Sequence, residues 1–282
     1  MSVLEDCRSA AIVGLGLVGG SLARDLSARG VRVLAYDTND AHISAAMEEG
    51  IVSVALDDDL ATVAQADVIV IAVPVDCAAD VLRRIAVHAS PASLVTDVGS
   101  TKARIVAAAS SLGMGQQFVG SHPMAGDHRS GWEASRVGLF ANARVYLCLT
   151  DDATERQLQR TTAFWRALGA HPMQIAADEH DRKLARASHL PHVLSAALGI
   201  ALARGGVSRS ELGPGGRDVT RLAGSSPDMW TAIARENSVA LEIALSDVER
   251  EIAAFRQTLS DPDARGLRSR FAAARAWFDE GL

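Results

Sequence analysis

The sequence predicts an α/β fold: an open parallel sheet in the first part of the chain and an all-helical second domain. Three observations carry this. Short apolar runs alternate with helix-period segments as far as about residue 175, the pattern of a parallel sheet with right-handed crossovers. The run VIVIAV at residues 68–73 is continuous and largely β-branched, the mark of a strand covered on both faces. After Asp178 the strand pattern stops. A length of 282 residues suggests about two domains and buries a core without disulfides or structural metals. The expected division is 1–176 and 177–282.

In order, residues 10–14 (AAIVG) predict the first buried strand, 18–29 a helix and 31–36 a second strand. A helix at 41–49 and a short strand at 51–54 follow. The strand at 68–73 leads into a helix at 76–87, and strands are expected at 94–97, 118–120 and 144–149. Residues 152–168 predict a helix, and 171–175 the last strand. Residues 178–203 predict a long helix with Pro191 as a kink, broken by Gly205 and Gly206. A Gly-rich turn covers 213–216. Ser226 is suited to cap a helix with Pro227 at its first position, running to about Leu259. A final helix is expected at 264–278.

Composition narrows the function classes. Hydrophobic residues make up 48% and charged residues 22%, ordinary soluble usage. The formal net charge of −6 leaves no basic footprint for nucleic acid. Cys7, Cys77 and Cys148 form no C-x-x-C pair, against a disulfide framework and in keeping with a reducing compartment. The longest apolar runs fall short of the ~20 residues that span a bilayer, and MSVLEDCRSA lacks signal-peptide character. A soluble cytoplasmic protein is expected. No module is recognised ahead of Met1 or beyond the last helix.

Gly14-Leu15-Gly16-Leu17-Val18-Gly19 is a G-x-G-x-x-G between a strand and a helix, the context that gives the motif meaning. It predicts a Rossmann-type nucleotide-binding domain. Gly14 permits the tight turn, Gly16 admits a pyrophosphate to the backbone and Gly19 lets helix and strand pack closely. Asp37 ends the second strand, where an acid reaches the adenosine ribose hydroxyls. It would repel a 2′-phosphate, so NAD is favoured over NADP. Val73 and Pro74 close the fourth strand and are expected beside the nicotinamide; a plain strand end is the other reading.

Two further segments, DVGSTK at 97–102 and GSHPMAGD at 120–127, end strands on the same side. His122 there can take a proton from an alcohol as hydride leaves its carbon. Ser100 can orient both the imidazole and the substrate.

GLGLVGGSLA, IAVPV, DVGSTK, SHPMAG, SHLPHVLSAAL and RDVTRLAGSSPDMW occur in this order. With them the chain resembles the prephenate/arogenate (cyclohexadienyl) dehydrogenase family of tyrosine biosynthesis, over about residues 8 to 260. The resemblance implies an NAD-dependent oxidoreductase with a helical dimerisation domain. It implies His122 as catalytic base, Ser100 assisting it, His192 in the substrate pocket and Arg221 on a substrate carboxylate. The substrate implied is a cyclohexadienol with two carboxylates. Its dehydrogenation and decarboxylation need no metal. Any feedback by tyrosine is expected at the active site.

His189 and His192 lie three apart, but no H-E-x-x-H accompanies them, and no metal is expected. For His189 the expectation is a buried side chain holding the helix or Ser188, itself a candidate substrate contact. Trp230 either walls the pocket or packs in the core. Many relatives have Thr-Glu after HPMAG, where this chain has Asp127-His128. A carboxylate at 127 would pair with the ammonium of arogenate; a solvated loop acid or helix cap is the alternative. The apolar faces of the C-terminal helices suggest a homodimer. Three competing readings are a β-hydroxyacid or 6-phosphogluconate-type dehydrogenase, an NAD-sensing regulator without turnover, and a related dehydrogenase acting on an amino-substituted prephenate in a secondary pathway.

Overall fold

The computed structural model describes residues 7–126 and 129–280. Its centre is an eight-stranded sheet: β1 Ser9–Val13, β2 Arg32–Tyr36, β3 Val54–Ala55, β4 Val68–Ile71, β5 Leu94–Asp97, β6 Phe118–Pro123, β7 Arg144–Leu149 and β8 His171–Gln174. The strand order is β3-β2-β1-β4-β5-β6-β7-β8. Every pair is parallel except β6 with β7. The crossovers are α1 Leu17–Ser27, α2 Asp40–Glu48, α3 Val75–Ala86, α4 Ala103–Ser111 and, joining β7 to β8, α5 Glu155–Ala167.

The apolar runs of β1 and β4 follow from coverage on both faces. Along β1, Ala10 and Ile12 belong to one apolar cluster with Leu22, Leu26 and Trp165. Ala11 and Val13 belong to the other, with Ile69, Leu82 and Ile85. This is the two-residue period of a strand, with no solvent face to demand polar residues. In α3, Ala78, Val81, Leu82 and Ile85 face inward. Asp76 lies in its first turn and Arg83 and Arg84 in its last, signs that suit the helix dipole.

Two expectations about the sheet are corrected. It is not wholly parallel: among the described residues the β6–β7 connection holds a short 3₁₀ turn, Trp132–Ala134, as its regular element, and β7 returns antiparallel. A parallel return needs a longer crossover, normally helical. β6 also continues past Gly120 through Pro123, where His122 pairs with Tyr146. His122 therefore sits on a strand rather than a loop.

The remaining helices are α6 Ala177–Leu184, α7 Leu190–Arg204, α8 Pro214–Val219, α9 Pro227–Glu236, α10 Ser238–Thr258 and α11 Arg265–Glu280. Between α6 and α7 the backbone stays helical through a π segment, Ala185–His189. Pro191 follows directly, in the first turn of α7, so the long helix expected over 178–203 carries a π turn just ahead of its proline. Ser226 caps α9 by accepting the Met229 N–H. The single helix expected from there to Leu259 is two, divided at Asn237. Asn237 is buried and bonded to the polar centre described below, and that fixes the break.

Candidate active site

The glycine loop follows β1. Gly14 has φ +103°, and a Cβ there would stand 2.4 Å from the Ala72 carbonyl oxygen. A Cβ on Gly19 would stand 1.9 Å from the Gly14 carbonyl oxygen. Both positions therefore require glycine. Gly16 differs: a Cβ there would meet no protein atom within 4 Å, so its bareness serves an open approach to the backbone. Gly16 also precedes α1 with no side chain capping the first turn, leaving its N–H donors for an anion. Leu15 and Leu17 are buried beneath the loop, and Val18 is half-buried.

Asp37 ties this loop to the end of β2. Its Oδ2 accepts the Leu15 N–H at 2.6 Å and its Oδ1 the Asn39 N–H at 2.8 Å. A glycine cradle and an acid at the second strand end fit an NAD molecule. Val73 is half-buried and Pro74, at the N-cap of α3, is exposed; both follow β4 on the same side of the sheet.

The segment after β5 is clamped from inside. Lys102 is fully buried and pairs through Nζ with Asp97, donating also to the Ser121 carbonyl at 2.9 Å. Asp97 accepts the N–H groups of Gly99 at 2.8 Å and Ser121 at 3.1 Å. The Asp and Lys of DVGSTK thus fasten the end of β5 to β6. Ser100, between them, is half-exposed.

His122 is buried, and its Nδ1 lies 2.8 Å from His180 Nε2. His180 Nδ1 in turn lies 2.8 Å from Asp181 Oδ1. Asp181 also accepts the backbone N–H groups of Lys102 and Ala103, each at 2.8 Å, at the start of α4. Burial raises the Asp181 carboxyl, but the bonds from His180, Ala103 and Lys102 outweigh it and hold the carboxyl below its ordinary range. Burial holds the His122 imidazole well below 6.5, aided by His180, Lys102 and His189. His122 is therefore neutral at physiological pH, the state a proton acceptor requires. The partner of its Nδ1 is His180.

A second cluster adjoins this one. Asn237 Nδ2 donates to the Asp181 carbonyl at 2.7 Å and lies 3.1 Å from His189 Nδ1. The carbonyl contact fixes that atom as the amide nitrogen, so His189 Nδ1 accepts and its Nε2 carries the hydrogen. Burial, with the neighbouring His180 and His192, pushes His189 down to about 4 against the opposing Asp181 charge. Its Nε2 and the Trp230 Nε1 are both buried donors without a partner among the described residues, with ring centroids 6.0 Å apart. Two such donors suit the oxygen atoms of a bound molecule. His192 stacks on Trp230 at 3.5 Å and lies 3.4 Å from Ser225 Oγ. Its imidazole is lowered by burial and then by the nearby Arg221 charge. Arg221 is exposed. Ser188 is half-buried within the π segment. Asp127 lies outside the described residues.

The family description "Prephenate dehydrogenase, nucleotide-binding domain" matches residues 22–174, and "Prephenate dehydrogenase, dimerization domain" matches 176–273. The chain belongs to the prephenate dehydrogenase family. It is 33% identical to a prephenate dehydrogenase of Bacillus subtilis (strain 168), over 95% of this chain and 74% of that protein. A crystal structure of A. aeolicus prephenate dehydrogenase with hydroxyphenyl propionate and NAD+ is similar at TM-score 0.89 and 27% identity, covering 98% of each chain. The Synechocystis arogenate dehydrogenase structure is similar at TM-score 0.82 and 29% identity, covering 97% of this chain and 100% of that one.

For this prephenate dehydrogenase family member, sequence reasoning placed His122, His192, Arg221 and Trp230 near the reaction but missed three residues. His180, Asp181 and Asn237 supply the buried bonds around His122 and His189. Their only sequence signal was an adjacent His-Asp facing inward on a helix and a polar residue inside a helical pattern. Among the described residues, no group of three or more His, Cys, Asp or Glu could hold a metal ion, and no helix is long and apolar enough to cross a membrane.

Proposed function

We propose that this chain, as a homodimer, oxidises and decarboxylates a cyclohexadienyl carboxylate, arogenate or prephenate, in tyrosine biosynthesis. The observation that carries the reading is a buried His122 at the end of β6, held neutral by burial and close enough to feel His189, whose Nε2 is a buried donor, as is the Trp230 Nε1, with Arg221 acting on the adjoining His192. Bound NAD supplies the hydride acceptor. His122 takes the hydroxyl proton as the carbinol carbon is oxidised. The ring carboxylate then leaves as carbon dioxide, because aromatisation drives the loss. Arg221 offers a bidentate fork to a substrate carboxylate. His189 and Trp230 offer hydrogens to substrate oxygens, with His192 stacked against Trp230. Ser100 and Ser188 complete the polar lining.

Asp127 tilts the preference toward arogenate, through a charge-assisted bond to its ammonium. The dimer reading is supported by α11, none of whose residues is buried, and by exposed Val239, Ile243, Ile252, Phe271 and Trp277. A cytoplasmic setting belongs to the same reading, as does a division at 176/177. The test is reduction of NAD by purified protein with each substrate, and again with Asp127→Asn. Turnover of either substrate supports the reaction. Turnover of neither contradicts it. An unchanged preference in Asp127→Asn retires the ammonium pairing.

A further inference from the structure

We propose that His180 and Asp181 are positioning residues for the dehydrogenation, holding His122 in the tautomer whose Nε2 accepts the substrate proton. The inference rests on the reading of His122 as the base. The direction of each bond follows from the fixed donors at the far end. The Lys102 and Ala103 N–H groups can only donate, and both donate to Asp181. Asp181 is therefore an acceptor, and His180 Nδ1 must carry a hydrogen toward Oδ1. His180 Nε2 faces His122 Nδ1 at 2.8 Å, and the proposal assigns the hydrogen between them to His122 Nδ1. That leaves the lone pair of His122 on Nε2.

The bonds balance through the reaction. The substrate O–H bond breaks and an N–H bond forms at His122 Nε2. The carbinol carbon is oxidised and NAD reduced by the departing hydride. The imidazolium keeps its Nδ1–H bond to His180, with the Asp181 carboxylate one ring further on. The other groups facing this relay are accounted for. Lys102 is paired with Asp97, Tyr146 packs edge-on against His180 at 5.4 Å, and Lys183 lies 5.5 Å from the Tyr146 ring. His189 is held by Asn237, which also holds the Asp181 carbonyl. The same carboxylate thus starts α4, closes the segment carrying Ser100 and sets the proton position on His122.

The test compares His180→Phe, His180→Gln and Asp181→Asn with the parent and with His122→Asn. Readouts are kcat, KM, the pH profile of kcat/KM, and the ¹⁵N shifts of the imidazoles in the parent protein. His180→Phe keeps a ring but removes the acceptor, and is expected to lower kcat by ~10²–10⁴-fold with KM little changed. His180→Gln restores an acceptor near the former Nε2 and recovers ~10-fold or more of that loss. Asp181→Asn keeps an oxygen acceptor at the Oδ1 position, where the Lys102 N–H and His180 Nδ1 both point, but removes the charge and sets its amide against the Ala103 N–H, so it is expected to lower kcat less than His180→Phe does. In the parent, the spectrum should place the hydrogen of His122 on Nδ1. A hydrogen on Nε2 overturns the proposal whether or not any variant folds. So does a His180→Phe enzyme with parental kcat and pH profile, when His122→Asn is inactive. An active His122→Asn enzyme overturns the base itself.

Discussion

Arg221 and His122 illustrate how single side chains here are tuned by what surrounds them. Arg221 is exposed, and its charge depresses the adjacent His192; in the proposed reaction it meets a substrate carboxylate. Replacing it with Ala should raise KM about 10- to 100-fold, the equivalent of ~1.5–3 kcal/mol for bonds to a charged group, with a smaller effect on kcat. Steady-state kinetics check this, and a fall in kcat at constant KM would assign Arg221 elsewhere. For His122, burial is the largest cause of the low proton affinity. The sign is simple: a depressed imidazole stays neutral as pH falls below the usual ~6.5. Burying Lys102 beside Asp97 follows a different logic, since losing either partner strands a charge at a cost of ~3–5 kcal/mol.

Elements explain which parts of the site were legible in the sequence. Strands β1 and β4 were readable because they are buried on both faces and carry the apolar runs AAIV and VIVI. The glycine loop was readable because Gly14 and Gly19 have no steric alternative. The direction of β7 was not, since an apolar run such as RVYLCL reads the same in either orientation. The relay was equally hidden, because Asp181 meets the start of α4 78 and 79 residues away in sequence. The break between α9 and α10 was masked by a helical pattern on both sides of Asn237. Its side chain joins α10 to α6 and to the π turn through the Asp181 carbonyl and His189. Asn237→Ala should leave His189 Nδ1 unpaired and the Asp181 carbonyl with only the Ala185 N–H, and cost about 1–3 kcal/mol, read as a lower midpoint in denaturant. No loss of stability would mean that these bonds contribute nothing to the junction.

At the scale of the whole molecule, the site exists only where the two parts of the chain meet. The sheet brings the glycine loop, the end of β4 and His122 to one side. The helices bring His180, His189, His192 and Trp230 against it. Arg104 of α4 pairs with Glu236 of α9 across the same junction. In the proposed reaction, proton acceptance depends on a strand residue bonded to a helix of the other part. The most direct measurement is the rate of NAD reduction by His122→Asn at saturating substrate, beside its affinity for NAD. The account predicts parental NAD affinity and a kcat lower by ~10²-fold or more, the contribution of a lost general base. A variant that turns over at the parental rate would contradict it.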